Sequence, residues 1–193
     1  MLDENGGIIG DYGTFDHLEL NTVSYDRFVI QRGTLYTVIN EKGNQLANLG
    51  RYDELVPEFE NEAYIVTRSS KKGVINHRGS AIIPLKYDNI WKLNKNTCYI
   101  VNSGDKFGAA NSKGKLILPI IFDGIEGYER VLIASKDGVY GVYGTDGMEY
   151  AACEYNEPYE VKDKDGVFKC MLSKDEKVFE ITVDDEGFNL SEK

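Results

Sequence analysis

The chain has 193 residues with 22 basic and 32 acidic side chains, a formal net charge of −10, and 41% hydrophobic residues. That apolar content is enough for a continuous core, yet no apolar run approaches the ~18 residues a membrane-spanning helix needs. An acidic balance of this size disfavours nucleic acid and anionic lipid and favours a basic partner.

The opening MLDENGGIIGDYG has neither a basic n-region nor an apolar h-region. No signal peptide is therefore expected, and the expectation is a cytoplasmic protein, provided that Met1 is the natural start. Residues 1–20 read as the tail of a structural unit and as an N-terminal cap. From residue 21 onward apolar and polar residues alternate at period two, which predicts strands. RFVIQR (27–32) and LYTVIN (35–40) come first, then the turn NEKG, a third extended stretch, and Tyr52-Asp53. The segment ELVPEFENE (54–62) breaks the pattern with four glutamates, Glu54, Glu58, Glu60 and Glu62, around Pro57 and Phe59. AYIVTR (63–68) and KGVIN resume it, followed by the turn NHRG and SAIIPLKYD. CYIVNS, KFGAAN, NSKG and KLILPIIFD repeat it, and VLIASK and VYGVYG begin a fourth copy. From Tyr159 the copy degenerates into GVFKCMLS and KVFEITVDDEG, read as two strands of a last unit that ends at Gly187.

One periodicity runs through these elements. Gly7, Gly43, Gly79, Gly114 and Gly147 recur at intervals of 36, 36, 35 and 33 residues. Each is followed by an aromatic and then an acid or amide: Phe15-Asp16, Tyr52-Asp53, Tyr87-Asp88, Phe122-Asp123 and Tyr155-Asn156. A period of this length marks a repeat array of units too small to fold alone. Asn40, Asn76 and Asn111 stand three residues before their glycines, with Gly144 in the fourth copy. In each turn the Asn side chain is expected to bond its own backbone and the glycine to supply a positive φ. The Asp after the aromatic is expected to form an Asx-turn by the same logic. Pro84 and Pro119 occupy matching places and cannot donate to a ladder, so they belong at a strand end or on an edge.

GVINHRGSAIIPLKYDNI (73–90) and FGAANSKGKLILPIIFDGI (107–125) resemble WG repeats, a bacterial β-repeat family. The resemblance covers roughly residues 30–158. Phe107-Gly108 and Tyr140-Gly141 match the family's aromatic-glycine pair; Lys72-Gly73 keeps the glycine and Tyr36-Thr37 the aromatic. The namesake tryptophan is absent from all four places, since Trp91 follows the unit-closing Ile90. The resemblance implies a β-repeat architecture and binding roles, and no shared catalytic chemistry.

No residue set points to chemistry. His17 and His77 lack the partners that acid–base catalysis requires. Cys98, Cys153 and Cys170 match no zinc or disulfide spacing and read as inert thiols. The row Asp16, Asp53, Asp88 and Asp123 supplies too few oxygens for a hard cation and reads as turn capping. No metal, cofactor or catalytic residue is assigned. Charge is uneven: residues 1–62 carry 4 basic and 12 acidic side chains, residues 63–150 carry 12 and 8, and residues 151–193 carry 6 and 12. Of the 13 tyrosines, Tyr25, Tyr128 and Tyr159 fall outside the repeated aromatic position, as does Trp91. A partner surface is therefore sought at Glu54, Glu58, Glu60, Glu62, Trp91, Tyr128, Tyr159, Asp184, Asp185 and Glu186.

The expected fold is all-β: a single domain, 1–193, of about five tandem three-stranded β-meander units of ~35 residues. Core repeats span 21–158 and a degenerate last repeat or cap spans 159–193. An extended, twisted stack is the first choice, and a closed five-bladed propeller-like ring the alternative. An open stack would leave strand edges at which a dimer could form. The expected function is non-enzymatic: a protein-binding module, of the acidic inhibitor or immunity type, for a basic partner. The alternative is a glycan- or cell-envelope-binding repeat protein that uses exposed aromatics.

Overall fold

The computed structural model describes residues 16–20, 27–40, 42–58, 63–93 and 98–193, and all of their regular structure is β. Five antiparallel sheets follow one another along the chain, each a four-stranded meander. The first holds β1 (His17–Leu20), β2 (Arg27–Arg32), β3 (Leu35–Asn40) and β4 (Gln45–Arg51). The second holds β5 (Glu54–Glu58), β6 (Ala63–Arg68), β7 (Lys71–Asn76) and β8 (Ala81–Tyr87). β9 (Asn89–Lys92), β10 (Cys98–Ser103), β11 (Lys106–Asn111) and β12 (Leu116–Phe122) make the third. The fourth is β13 (Gly124–Gly127), β14 (Val131–Lys136), β15 (Val139–Gly144) and β16 (Glu149–Tyr155). The last is β17 (Tyr159–Lys164), β18 (Val167–Lys174), β19 (Lys177–Asp184) and β20 (Gly187–Glu192).

The tandem meander units are thus present, and each sheet has one strand more than the three read from the sequence. The extra strand is the segment after the Tyr-Asp or Phe-Asp pair. Ile90, which closes a unit in the sequence, lies on β9 and opens the next sheet by pairing with Val101. The last unit is likewise a full sheet rather than two strands, flanked by β17 and β20.

The chain divides into two compact units, Met1–Asp88 and Asn89–Lys193. In the first, Val29, Tyr36, Val38 and Leu49 of one sheet pack with Leu55, Tyr64, Val66 and Ile75 of the other. In the second, the sheet β13–β16 is covered on both faces. Val131 and Ile133 join the cluster of Phe168, Cys170, Leu172, Ile181 and Val183, while Leu132 and Ala134 join Cys98, Ala109, Leu118 and Phe122. Two covered faces explain why Val131–Ala134 is an unbroken apolar run despite the period-two geometry of a strand.

Glycine has a further duty beyond its dihedral. Gly79 and Gly147 have φ of +84° and +92°, as the turn requires. A methyl added at Gly79 would stand 2.8 Å from the Asn48 carbonyl oxygen, and one at Gly147 2.8 Å from that of Ile117. Each turn is pressed onto the last strand of the preceding sheet, so glycine is needed for space as well as for conformation.

The glycine of the aromatic-glycine pair sits in a bulge. Phe107 pairs with Phe122 and Ala109 with Leu118, so Gly108 alone faces Pro119, Ile120 and Ile121. Gly73 and Gly141 face three residues in the same way. The crowded backbone crosses directly over the glycine: a methyl on Gly108 would lie 2.9 Å from Leu118 O, and one on Gly141 2.8 Å from Ala151 O. Pro84 and Pro119 lie in these bulges on the edge strands β8 and β12, where no ladder bond is asked of them. β3 has Thr37 instead of the glycine; its partner β4 skips one residue there, Leu49, and carries Gly50 at φ +107°.

Candidate interaction surface

The conserved-looking polar positions of the repeat are spent on turns. Asn40, Asn76 and Asn111 each accept two backbone N–H groups with Oδ1, at 2.9–3.1 Å. In the fourth copy Gly144 replaces the Asn, and Asp146 caps the turn by accepting from Met148 N at 2.9 Å. A side chain at Gly144 would collide with Asp146 Oδ1 and Tyr150 Oη.

The Asp after the aromatic does not cap its own turn, contrary to the Asx-turn expected. Asp53 accepts from Ser69 N and Asp123 from Asp137 N, both at 2.7 Å, and Asp16 accepts from Gly33 N at 2.5 Å. Each carboxylate locks the next sheet's first long hairpin, whose tip has positive φ (Ser69 +52°, Asp137 +53°, Gly33 +57°). Lys71 pairs with Asp88 and Lys106 with Asp123. Asp123 is held below the usual carboxylate range by the Lys106 hydrogen bond and the Asp137 N–H. These carboxylates are saturated one by one and do not converge on a common point. Among the described residues no three His, Cys, Asp or Glu side chains are placed to hold a metal ion.

The thiols are held in their neutral form. Burial pushes Cys98 up to about 11 and Cys170 up to about 12. Cys153 is half-buried, also raised by burial, and donates to the Ala134 carbonyl at 3.4 Å.

The proposed surface residues have different fates. Glu54 is exposed on β5 and accepts from Thr67 Oγ1 at 3.3 Å; Glu58 is half-buried at the end of that strand. Glu60 and Glu62 lie outside the described residues. Trp91 is 46% exposed on β9, its ring stacked on Phe107 with centroids 6.0 Å apart. Tyr128 is packing material: its ring lies 5.1 Å from that of Phe168, and burial, then the Glu126 carboxylate, push its hydroxyl well above the usual range. Tyr159 is 41% exposed on β17, paired with Met171.

Asp184, Asp185 and Glu186 form the hairpin tip between β19 and β20. Asp184 is its cap, accepting from Glu186 N and Gly187 N at 2.9 and 3.1 Å. Asp185 reaches Arg130, from the connection between β13 and β14, at 2.5 Å. In a meander alternate hairpins share one end, so the β17–β18 tip with Asp165 lies at the same end of the sheet. This end therefore gathers Asp165, Asp184, Asp185 and Glu186, with Asp165 and Asp185 84% and 86% exposed. Beside it Tyr150 stacks on Phe188 at 4.7 Å and nearly parallel, next to Met148, which is 59% exposed. Sequence reading missed this apolar patch because Phe188 and Leu190 were placed beyond the last strand. Their period-two spacing in GFNLSE was the available signal.

No helix of the described residues is long and apolar enough to cross a membrane. No curated protein matches the chain in sequence. Among solved structures it is similar to a eukaryotic initiation factor, 8% identical with a TM-score of 0.45 over 92% of this chain and 55% of that one. It is also similar to Kluyveromyces lactis Hsv2, at 14% identity and a TM-score of 0.40 over 91% and 61%. The N-terminal domain of Nup159 matches at 12% identity and a TM-score of 0.39, over 94% and 62%. Likeness this low says nothing of function. The model of the WG containing repeat family matches residues 73–107 and 107–130, so this stretch of the chain is similar to WG repeats, and the same four-strand sheet plan is found on both sides of it.

Proposed function

We propose that the chain is a non-catalytic protein-binding module of the cytoplasm, which engages a basic partner through the acidic end of the sheet β17–β20 in the manner of an inhibitor or immunity-type protein. The observation that carries this reading is the contrast in how carboxylates are used. Those of the repeat signature are occupied by hairpin N–H groups and lysines, whereas Glu186 is exposed beside Asp185 and Asp165, whose side chains stay 86% and 84% exposed although Asp185 pairs with Arg130 and Asp165 with Lys164 at 3.9 Å. Facing such a tip, a basic surface gains long-range attraction that speeds encounter and is screened by salt. The stacked Tyr150–Phe188 pair and Met148 offer an apolar anchor beside the charges.

The non-catalytic reading is supported, as far as a cysteine nucleophile is concerned, by the direction in which the thiols are shifted. An activated cysteine has a depressed pKa, and here burial raises all three thiols. The test is capture from the native lysate on the immobilised chain at low and at high salt, with mass spectrometry of what is retained. A stoichiometric basic protein released by salt is expected; retention indifferent to ionic strength would contradict the electrostatic mechanism.

A second reading has its own observation. Trp91 presents nearly half its surface while resting on Phe107, a platform suited to the apolar face of a sugar ring. A glycan array showing no binding, or binding unchanged in Trp91→Ala, would remove it.

A further inference from the structure

Position 27 breaks a rule that the other sheets of the same pattern keep. Arg27 pairs with the turn residue Asn40, and the residues in the matching place of the next three sheets pair with Asn76, Asn111 and Gly144. Those three are Ala63, Cys98 and Val131, which are 2%, 1% and 0% exposed. Three sheets place a small apolar side chain in the core there, and the first places a guanidinium. Among the described residues Arg27 makes no ion pair. A half-buried guanidinium is costly to keep unless something supplies negative charge beside it.

The space beside it is built for that. The nesting of Gly79 on Asn48 brings the His77–Arg78 turn against β4 and leaves a cavity of about 210 Å³ lined by Arg27, Val38, Leu46, Ala47, His77 and Arg78. That is more than ten times the ~15 Å³ that admits one water. Arg78 Nε donates to His77 Nε2 at 3.3 Å, which orients the second guanidinium. Val38 closes the floor at 3% exposed, and Leu46, left out of the β3–β4 pairing by a register shift, forms an apolar wall at 52% exposed. Among the described residues no carboxylate lines the cavity. At the equivalent place of the sheets β9–β12 and β13–β16, Cys98 stands for Arg27, and Thr145 and Asp146 for His77 and Arg78. The basic turn residue recurs in the repeat as Lys42, Arg78 and Lys113, so it is the second cation, Arg27, that belongs to this pocket alone.

We propose that this cavity binds a carboxylate carried on a short apolar stem, the carboxylate between the guanidiniums of Arg27 and Arg78 and the stem against Val38 and Leu46. Two guanidiniums give the fork geometry that carboxylates prefer, and the apolar floor selects an organic acid over an inorganic anion. The site lies in the unit Met1–Asp88 and does not depend on the acidic tip discussed above.

The test is a titration of the full chain, followed by NMR chemical shifts, with 3-phenylpropionate, its alcohol 3-phenylpropanol and inorganic phosphate. Saturable shifts with the acid, confined to the pocket residues, and at least tenfold weaker binding of both the alcohol and phosphate are expected. Arg27→Val restores the apolar residue type of the other sheets, so it should fold and lose the acid at least tenfold; Arg78→Gln should weaken it as well. Peptides ending in Phe with a free or an amidated C-terminus tell the two sources apart. Binding of the free form shows that a chain terminus is accepted, and binding of the small acid alone shows a free metabolite-sized acid. No saturable binding of any carboxylate, phosphate binding as well as the acid, or full binding by a folded Arg27→Val would each overturn the proposal.

Discussion

In the sheet β9–β12 the strand pairing is interrupted where Gly108 faces three residues of β12, and the backbone there lies so close that no side chain fits. In β17–β20 the last three strands run in unbroken register, β18 against β19 over seven pairs and β19 against β20 over six. Its turn glycine Gly187 has nothing within 4 Å of an added methyl. The first sheet carries the repeat signature and receives the Gly147 turn of the next sheet on β12; the second has lost the signature and is an ordinary meander. Alternation on β18, with Phe168, Cys170 and Leu172 buried and Lys169 exposed, is enough to build it. The signature therefore encodes a bulge within the sheet and, at Gly147, the seating of a turn on the preceding sheet, neither of which a plain meander needs, and a sheet released from it is free to vary its surface.

This contrast can be broken by mutation. The largest effect is expected in the sheet without the signature: Phe168→Ala should cost about 4 kcal/mol in urea unfolding, because a fully buried ring against Tyr128 is lost. Gly108→Ala should cost about 3 kcal/mol, as the methyl must displace β12 backbone. Gly187→Ala should cost only about 1 kcal/mol, from its φ of +130° alone. Equal costs for the two glycines would remove the distinction. Asn111→Ala should cost roughly 1–2 kcal/mol, since two turn N–H groups lose their acceptor.

The smallest effect concerns pH. The folded chain keeps Cys98 protonated up to about 11 and Cys170 up to about 12, while the unfolded chain ionises its thiols near the ordinary value. The unfolded state then binds fewer protons, so stability should be flat below about pH 8 and fall as pH rises through that window. Thermal melts of the wild type and Cys98→Ala across pH 7–10 check this, with a shallower alkaline decline expected for the variant. Reaction of Cys98 or Cys170 with a thiol reagent in the native chain at pH 8 would contradict the burial that causes it.

Much of this construction was legible in the chain. Strands of about six residues rich in β-branched and aromatic side chains, the Asn turns and the edge prolines are local signals, and each is where it was expected. The fourth strand of each sheet was not legible, because four residues such as NIWK (89–92) are too short to show a period. It also lies across the boundary that the repeat itself suggests. The partner of Asp53 was missed for a related reason: Asx-turn chemistry is local, but the carboxylate is used 16 residues away. Trp91 and Tyr159 are exposed as a binding role needs, while Tyr128, also an irregularly spaced aromatic, is half-buried against the core cluster. Composition cannot separate these cases; which face of which strand is covered decides them. The ion pair of Arg130 with Asp185 joins residues 55 apart and left no local trace.

The most direct measurement sets two chains with equal loss of charge against each other in the salt-dependent capture experiment. One carries Asp165→Asn, Asp185→Asn and Glu186→Gln in the sheet β17–β20; the other carries Asp105→Asn, Asp123→Asn and Asp137→Asn in the signature repeats. Capture of the basic partner should be lost in the first and kept in the second, at most with a lowered melting temperature. Capture kept in the first and lost in a folded second chain would place binding on the signature repeats and contradict the account.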